Sequence, residues 1–319
     1  MRMQQRRVGH SGLRVSRLAL GTMTWGSQVD QYTATELLDG FLDAGGTLID
    51  TAPVYGDGKG EQVLGAALAD RGVRDRVLLA GKCGLGPGSD GALLDASRGT
   101  VLAQLDRSLR DLGTDYLDVW QVHRWDDSTP LDETLAALEH AIDSGRVRYA
   151  GISNFSAWQT ALAHERLAGR PAGHRLVSTQ VEYSLLRRSP ESGLVDAAQH
   201  LGLGLLAWSP LGRGVLTGKY RTGTPADSRG ADDGWGRWLT EYLQPGPAAV
   251  VEAVVRAAEG LGHTPAQVAL AWVRDRSAVA SAVVGARTPA QLAELVATES
   301  IALPPEIILA LDDVSTGQV

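Results

Sequence analysis

Short apolar runs alternate along the chain with longer segments whose apolar residues recur every three or four positions. In the segment from Ala96 to Leu112, spacings of three and four connect the apolar residues Val101, Leu102, Leu105, Leu109 and Leu112. Strands separated by helices in this way predict parallel βαβ units with right-handed crossovers. The eight predicted strands are Leu18–Leu20, Thr47–Ile49, Val77–Ala80, Tyr116–Val122, Val147–Ile152, Leu176–Thr179, Leu203–Ala207 and Ala280–Val284.

The segments between these runs predict helices, and two other stretches have a different character. Residues 6–15 predict a β-hairpin that turns at Ser11-Gly12. Residues 210–247 are rich in Gly, Pro and Asp and predict a long functional loop after the seventh strand. Residues 1–319 are expected to form one domain. The predicted helices are Thr33–Ala44, Gly60–Asp70, Ala96–Leu112, Leu131–Ser144, Ala157–Leu167, Glu191–Leu201, Ala248–Leu261 and Pro265–Asp275.

Polar residues at the ends of the apolar runs favour a closed barrel over a doubly wound open sheet. Asp50, Lys82 and His123 each stand at or just after the end of a predicted strand. In a (β/α)8 barrel such positions form a ring at the C-terminal face, where active sites lie. A doubly wound sheet is instead expected to carry Gly-x-Gly-x-x-Gly after its first strand. We therefore predict an α/β fold, a (β/α)8 TIM barrel with an N-terminal β-hairpin and a long loop after strand seven.

Charge and hydropathy narrow the range of partners. The 319 residues include 37 acidic and 30 basic side chains, giving a formal net charge of −7. This mild acidic excess argues against a nucleic-acid partner, which normally needs a basic face. No apolar run approaches the roughly 18–20 residues of a membrane span, and the basic N-terminus leads into no apolar signal segment. We expect a cytoplasmic protein without a membrane partner, and its oligomeric state is unknown from the sequence.

The cysteine and carboxylate patterns give no indication of a metal site. Cys83 is the one cysteine of the chain, which excludes an internal disulfide and a multi-cysteine metal centre. The pair Asp126-Asp127 lies in a polar stretch, where solvated turn acids are far commoner than metal ligands. We therefore expect no metal.

Four side chains at the predicted C-terminal face can form a proton-donating site. Asp50, Lys82 and His123 end neighbouring strands, and Tyr55 follows Asp50 in the next loop. A phenol has an ordinary pKa near 10; a neighbouring ammonium lowers it, and an aspartate keeps that ammonium charged. A histidine beside the phenol can orient the substrate oxygen. Together these groups predict general acid catalysis on an oxygen that becomes an alkoxide.

Each of the four residues alone has an ordinary structural explanation. Asp50 could cap a helix, and Tyr55 could be a rim tyrosine with a wet hydroxyl. Lys82 could be an exposed lysine at a strand end, and His123 a hydrogen-bonded core histidine. Their occurrence together at the ends of consecutive strands favours the catalytic interpretation.

The motifs around these residues resemble those of the aldo-keto reductase superfamily over nearly the whole chain. The resemblance implies a (β/α)8 barrel that binds a nicotinamide cofactor without a Rossmann domain. It also implies that Tyr55 is the proton donor, Lys82 and Asp50 its tuning pair, and His123 the residue that orients the carbonyl. The matching segments are residues 20–26, 48–56, 60–65, 115–118, 121–123, 145–155, 208–214 and 216–220.

The same resemblance implies the positions that bind the cofactor, NADP(H). Ser153, Asn154 and Gln180 match residues that hold the nicotinamide carboxamide, and Trp208 matches the aromatic residue that stacks on the ring. The positions that match the pyrophosphate-covering loop are Ser209, Pro210, Leu211, Gly212, Gly214 and Lys219, with Arg229 as a further phosphate-side contact. The adenosine-end positions are Gly285, Arg287, Gln291 and Glu294, although many members carry a lysine at the position of Gly285 and an asparagine at that of Leu295.

These expectations combine into a function. We expect an NADP(H)-dependent oxidoreductase that reduces a small-molecule aldehyde or ketone to an alcohol, with Trp25 and Trp125 as walls of the substrate pocket. Two alternatives remain: an NADPH-binding regulatory protein like the β-subunits of potassium channels, and a sugar-nucleotide reductase of a biosynthetic pathway.

Overall fold

The barrel is the central element of the molecule. The structure is a computed structural model of the chain and describes residues 2–86, 93–225, 231 and 239–317. Parallel strands close in the order β10-β3-β4-β5-β6-β7-β8-β9, which confirms the predicted TIM barrel. These strands are β3 (Leu18–Gly21), β4 (Leu48–Asp50), β5 (Leu78–Cys83), β6 (Leu117–Val122), β7 (Val147–Ser153), β8 (Leu176–Glu182), β9 (Gly204–Trp208) and β10 (Val279–Val284).

Strand ends agree with the apolar pattern to within a few residues. The largest differences are at β5 and β8, which each run three residues past their predicted ends at Ala80 and Thr179. In β8, Gln180 and Glu182 continue the backbone ladder with Leu206 and Trp208 of β9. The sequence prediction ended this strand at the first strongly polar residue, Gln180, but the backbone pairing continues past it. The consequence is that Gln180 lies inside the barrel, in position to reach the site.

Helices surround the barrel and alternate with its strands. Side-chain caps fix several of their starts: Asp30 accepts from the amide of Thr33 at 2.8 Å, and Ser156 and Thr264 form capping boxes. The last two helices were not among the predicted segments. The described helices are α1 (Gln31–Asp43), α2 (Gly60–Arg71), α3 (Arg98–Leu112), α4 (Leu131–Asp143), α5 (Ala157–Ala168), α6 (Leu194–Leu201), α7 (Pro245–Leu261), α8 (Pro265–Arg274), α9 (Pro289–Ala297) and α10 (Pro305–Ser315).

An N-terminal hairpin closes the end of the barrel opposite the site. Strands β1 (Gln5–Arg7) and β2 (Arg14–Ser16) pair antiparallel, as predicted. Its turn is wider than Ser11-Gly12, because the amide of Val8 donates to Leu13 O at 2.9 Å and residues 9–12 form the loop. Apolar hairpin side chains pack in one cluster with inward-facing residues of the barrel, namely Val8, Leu13 and Val15 with Ala19, Leu48, Ala80, Val119, Val177, Leu206 and Ala280.

The predicted long loop follows β9, the seventh strand of the barrel. Its described parts contain short 3-10 turns at Gly212–Thr217 and Thr240–Leu243, and α7 begins at Pro245. Arg229 lies outside the described residues. Within the described part of the chain, no helix has both the length and the apolar character needed to cross a membrane.

Candidate active site

Lys82 is the centre of a buried hydrogen-bonded group at the C-terminal ends of β4 and β5. Its Nζ lies 2.7 Å from both carboxylate oxygens of Asp50 and 3.0 Å from the Tyr55 hydroxyl. Its third partner is the carbonyl oxygen of Thr51 at 3.1 Å, so that its three protons face four acceptor atoms. Lys82 is 0% exposed and Asp50 3%. The structure thus brings together the ammonium, the carboxylate and the phenol that the sequence placed on neighbouring elements.

The charges within this group determine how each member titrates. Desolvation alone would lower the pKa of Lys82, but Asp50 and Tyr55 reverse that effect and raise it, so Lys82 stays an ammonium. Desolvation raises the pKa of Tyr55 above its ordinary value of 10, and the opposing effect of Lys82 is smaller. The expected net lowering of this pKa is therefore corrected: in the structure, burial outweighs the ammonium. Tyr55 is a phenol at neutral pH, as a proton donor requires.

His123 directly follows β6 and lies beside Tyr55. Its amide donates to Cys83 O at 2.8 Å, which continues the strand ladder to the mouth of the barrel. The two rings meet edge to face, with centroids 6.1 Å apart. Desolvation and the positive charges of Lys82 and Arg124 lower the pKa of His123 to about 3. The imidazole is therefore neutral at ordinary pH and can donate one hydrogen bond to a substrate oxygen.

The residues predicted to bind the carboxamide form a hydrogen-bonded cluster that contacts Asp50 and His123. Gln180 Nε2 donates to Asp50 Oδ1 at 2.7 Å, and Ser153 Oγ donates to Gln180 O at 2.9 Å. Asn154 Nδ2 donates to His123 O and to Ser153 Oγ, each at 3.0 Å, while its Oδ1 accepts from Trp208 Nε1 at 3.1 Å. The sequence did not indicate these mutual contacts. They fix the Trp208 ring and both amide groups relative to Asp50 and His123.

The loop after β9 has an unusual backbone. Ser209 and Arg213 adopt φ values of 49° and 58°, in the left-handed region that non-glycine residues rarely occupy, and Gly212 and Gly214 also have positive φ. The amides of both glycines donate within the loop, to Ser209 O at 2.9 Å and to Leu211 O at 3.0 Å. In this structure the glycines therefore allow the tight turns, and their own amides are already used.

Ion pairs that sequence reasoning missed hold this loop to the barrel. Arg213 makes two hydrogen bonds to the Glu182 carboxylate, at 3.0 and 2.7 Å, and Glu182 also accepts from the Tyr242 hydroxyl at 3.0 Å. Glu241 lies between Arg213, at 3.3 Å, and Arg187, at 2.7 Å. We call Glu182, Arg187, Arg213, Glu241 and Tyr242 the loop latch. The signal that could have found it is the carboxylate that ends β8.

The predicted phosphate-side and adenosine-side residues lie at the rim of the barrel. Lys219 is exposed, and its Nζ lies about where a side chain on Gly214 would point, 3.4 Å from an ideal Cβ there. Gly285 is exposed at the end of β10. Gln291 Oε1 accepts from the amide of Arg287 at 2.9 Å, which fixes the turn before α9.

The start of α9 is capped by a residue other than Arg287. Thr288 is the N-cap and accepts from the amide of Gln291 at 3.3 Å. Glu294 accepts through its backbone oxygen from Gln267 Nε2 at 3.2 Å. The guanidinium of Arg287 is thus not needed as a cap of this helix.

The two tryptophans expected in the substrate pocket have different environments. Trp25 is 0% exposed, and its carbonyl packs so closely on Gly56 that a Cβ there would lie 1.7 Å from the oxygen. This burial corrects the expectation that Trp25 forms a pocket wall, because no part of its surface is accessible. Trp125 is partly exposed and meets Phe155 and Trp158 edge to face, with centroids 5.2 and 5.3 Å apart. Trp158, which is 60% exposed, was not singled out by sequence.

Asp126 has a structural role that differs from a solvated turn acid. It is 8% exposed and accepts from the amide of Ala96 at 2.9 Å and from the Thr129 hydroxyl at 2.6 Å. Desolvation acts to raise its pKa, but these bonds and those from Ser128 lower it to about 2. Its carboxylate thus holds the loop that carries Trp125.

Glu61 is a buried carboxyl that sequence reasoning did not select as a site residue. It lies in the first turn of α2, just after the Tyr55 loop, and is 2% exposed. Neither carboxylate oxygen has a hydrogen-bond partner among the described residues. Desolvation raises its pKa to about 7; the negative charge of Asp111 acts in the same direction, and the smaller effects of Ser108 and Arg107 oppose it. Glu61 is therefore protonated at mildly acidic pH and titrates near neutrality.

The fold and this site together define a class: a TIM barrel whose mouth presents a Tyr-Lys-Asp-His group. The sequence profile of the Aldo/keto reductase family matches residues 17–316. The chain belongs to the aldo/keto reductase family, and it is an oxidoreductase of that family.

Similar proteins have been given several different descriptions. The chain is 37% identical to "Uncharacterized oxidoreductase YrpG" of Bacillus subtilis, over 97% of this chain and 95% of that protein. It is 37% identical to "Probable voltage-gated potassium channel subunit beta" of Oryza sativa subsp. japonica, over 96% and 94%. Identity to "L-glyceraldehyde 3-phosphate reductase" of Escherichia coli is 36%, over 92% and 86%.

Proposed function

We propose that this protein is an NADP(H)-dependent reductase of small-molecule aldehydes or ketones. The observation that carries the proposal is the position of Lys82 Nζ, 2.7 Å from Asp50 and 3.0 Å from the Tyr55 hydroxyl, at the mouth of the barrel. A phenol held against a buried ammonium is suited to give its proton to an oxygen that gains negative charge. The 36% identity to a protein described as "L-glyceraldehyde 3-phosphate reductase" supports a carbonyl substrate.

The residues present fit a nicotinamide dinucleotide. Ser153, Asn154 and Gln180 form a polar cluster within the barrel mouth, beside the partly exposed Trp208. Such a cluster would hold the carboxamide, and the indole would lie against the ring. The turns from Ser209 to Gly214, with Lys219 and Arg229, would hold the pyrophosphate. Arg287 and Gln291, at the start of α9, would hold the adenosine end, where a helix N-terminus favours phosphate.

Each member of the site has a separate task. When bound, the reduced nicotinamide supplies the hydride that the carbonyl carbon receives. The neutral imidazole of His123 donates to the carbonyl oxygen and orients it. Tyr55 then gives its hydroxyl proton to that oxygen, and the Lys82 ammonium stabilises the phenolate that remains. Asp50 keeps Lys82 charged throughout, because its carboxylate compensates the buried positive charge.

The substrate is proposed to lie against Trp125, together with Phe155 and Trp158, in place of the buried Trp25. Trp125 meets both of the other rings edge to face, and it lies two residues after His123 in the chain. We propose a cytoplasmic location, with no nucleic-acid or membrane partner.

A panel of aldehydes, ketones and sugar-nucleotide ketones, followed by loss of reduced-cofactor absorbance, tests this function. We expect turnover with at least one carbonyl class in the parent and strongly reduced turnover in Tyr55→Phe. A second candidate, an NADPH-binding regulatory protein, is favoured by the 37% identity to a probable channel subunit. Tight NADPH binding with no turnover across the panel would contradict the reductase and support that candidate.

A further inference from the structure

Gln121 lies next to Lys82 in the strand register of the barrel, and Ser178 lies two strands beyond Gln121. The parallel register pairs Lys82 with Gln121, Gln121 with Gly151, and Gly151 with Ser178. Residues in register on neighbouring strands point to the same face of a sheet. Lys82 points inward to Asp50, so Gln121 and Ser178 also point inward.

Gly151 shows how closely these two side chains approach. A Cβ on Gly151 would lie 2.4 Å from Ser178 Oγ and 3.0 Å from Gln121 Cγ. The space that a side chain at residue 151 would need is therefore occupied from both sides. The Cγ of Gln121 and the hydroxyl of Ser178 thus both lie against Gly151, which separates them in the strand register.

The polar atoms of these two side chains are buried and unpaired. Gln121 and Ser178 are both 0% exposed. Among the described residues, neither Nε2 nor Oε1 of Gln121, nor Oγ of Ser178, has a hydrogen-bond partner. Lys82, Asp50 and Gln180 in the same interior are bonded to one another. Buried polar atoms without partners are costly and rare in native proteins.

Water is the ligand that fits these groups, because it both donates and accepts and satisfies several polar atoms at once. We propose that Gln121 and Ser178 bind an internal water beneath the Asp50–Lys82 pair, and that Gln121 is a positioning residue which keeps Lys82 charged. The polar layer stabilises the ammonium in an otherwise apolar interior. Its effect on the reaction rests on the proposed function, whereas the water site and the charge of Lys82 do not.

Two variants and one control separate this role from a general packing role. Gln121→Met keeps the size of the side chain and removes its polarity, and Ser178→Ala removes only the hydroxyl. Thr179→Val is the matched control, since Thr179 is also buried and unpaired among the described residues. It lies on the same strand, paired with Ile152 and Leu205 of the outer core.

High-resolution crystal structures test the water site directly. We expect an ordered water within hydrogen-bond distance of Gln121 and Ser178 in the parent and in Thr179→Val. Gln121→Met should lack it. A direct hydrogen bond between Gln121 and Ser178 in the parent, with no water, would overturn the site.

The charge of Lys82 can be followed without any turnover, because the chain has only three lysines, Lys59, Lys82 and Lys219. In protein labelled at the lysine Cε, the other two are exposed and serve as internal references. We expect Gln121→Met to lower the midpoint of the pH titration of Lys82 by about half a pH unit or more. Ser178→Ala should lower this midpoint less, and Thr179→Val should leave it unchanged. An unchanged Lys82 midpoint in Gln121→Met and Ser178→Ala would overturn the positioning role. Absence of turnover with every compound of the carbonyl panel would instead refute only the proposed function.

Discussion

Gln180 donates its side-chain amide to Asp50 at 2.7 Å, so a residue of the proposed nicotinamide cluster is bonded directly to the carboxylate that holds Lys82. One carboxylate therefore links proton donation to the cofactor side of the site. A change at Gln180 is expected to alter both the orientation of Asp50 and the binding of the nicotinamide. Effects of substitutions in this cluster should consequently be non-additive.

Tyr55→Phe removes the proposed proton while leaving the ring in place. We expect kcat for carbonyl reduction to fall about 10²- to 10⁴-fold, the usual contribution of a general acid. Cofactor affinity should stay near that of the parent, since the hydroxyl contacts Lys82 and not the predicted cofactor residues. Steady-state kinetics and fluorescence titration with NADPH measure the two effects. Reduction within a few-fold of the parental rate would exclude Tyr55 as the donor.

Lys82→Met leaves the Asp50 carboxylate buried without its ammonium. Breaking a buried pair in this way costs about 3–5 kcal/mol of unfolding free energy, and turnover should fall about 10²-fold or more. Lys82→Arg should recover little activity, because the fork of a guanidinium does not fit the three contacts of Nζ.

The double variant Asp50→Asn/Lys82→Met is the control for these effects. It should recover much of the stability and none of the activity. Denaturant unfolding and a turnover assay are made on the same samples. Full activity of Lys82→Arg would show that positive charge alone suffices.

The reduction rate should be nearly independent of pH between about 6 and 9. His123, with its pKa lowered to about 3, stays neutral across this range, and the raised pKa of Tyr55 keeps the phenol protonated. The kcat–pH profile of the parent measures this. A change of kcat between pH 6 and 7 that is absent from the profile of His123→Asn would show that the imidazole titrates in the ordinary range instead.

Glu61 predicts a loss of stability with rising pH. Its pKa is raised from 4.5 to about 7, so between these values the folded state binds more protons than the unfolded state. The free energy of unfolding therefore falls as pH rises through this window, by an amount of order 3 kcal/mol. Glu61→Gln removes the titration and should be more stable than the parent at pH 8, with little difference at pH 4.5.

Denaturant unfolding at several pH values tests this expectation. Glu252→Gln is a matched control, since Glu252 is an exposed helical carboxylate paired with Arg221. It should give no gain of stability at pH 8. A Glu61→Gln curve parallel to that of the parent would mean that Glu61 is ionised and compensated in the folded protein.

We expect cofactor choice to depend on Arg287. An arginine–phosphate contact contributes roughly 1.5–3 kcal/mol, or about 10- to 150-fold preference for NADPH over NADH. Gly285 stands where many relatives of the superfamily carry a lysine, so we expect a value near the lower limit. Dissociation constants for both reduced cofactors, in the parent and in Arg287→Ala, measure the preference. Equal affinities in the parent, or an unchanged ratio in Arg287→Ala, would remove Arg287 from this role.

Periodicity and strand ends were sufficient for the barrel and for the group around Lys82. A parallel barrel aligns the ends of consecutive strands, so Asp50, Lys82 and His123 had to meet once the strands were found. Side-chain contacts across the barrel carry no such periodic signal. The bond from Gln180 to Asp50 joins residues 130 positions apart and depends on the closure of the barrel and on one rotamer.

Burial was the property that sequence predicted least well. Trp25 lies in a loop, where an aromatic residue is expected to be accessible, yet it is fully buried and packs in the main hydrophobic core. Glu61 follows a glycine at the start of a helix, where a carboxylate is usually exposed and favours the helix dipole. Packing of α2 on α3, which pattern alone does not specify, covers it instead.

Among the described residues, the N-terminal hairpin covers the end of the barrel opposite the site. Val8, Leu13 and Val15 fill the end opposite the site, packed with Leu48 and the other inward side chains. Solvent and solutes thus reach Lys82 through the mouth that Trp208 and the latched loop border. Any molecule lying across that mouth isolates the interior from bulk water for as long as it stays. The residence time of the outermost ligand therefore sets the exchange rate of everything beneath it.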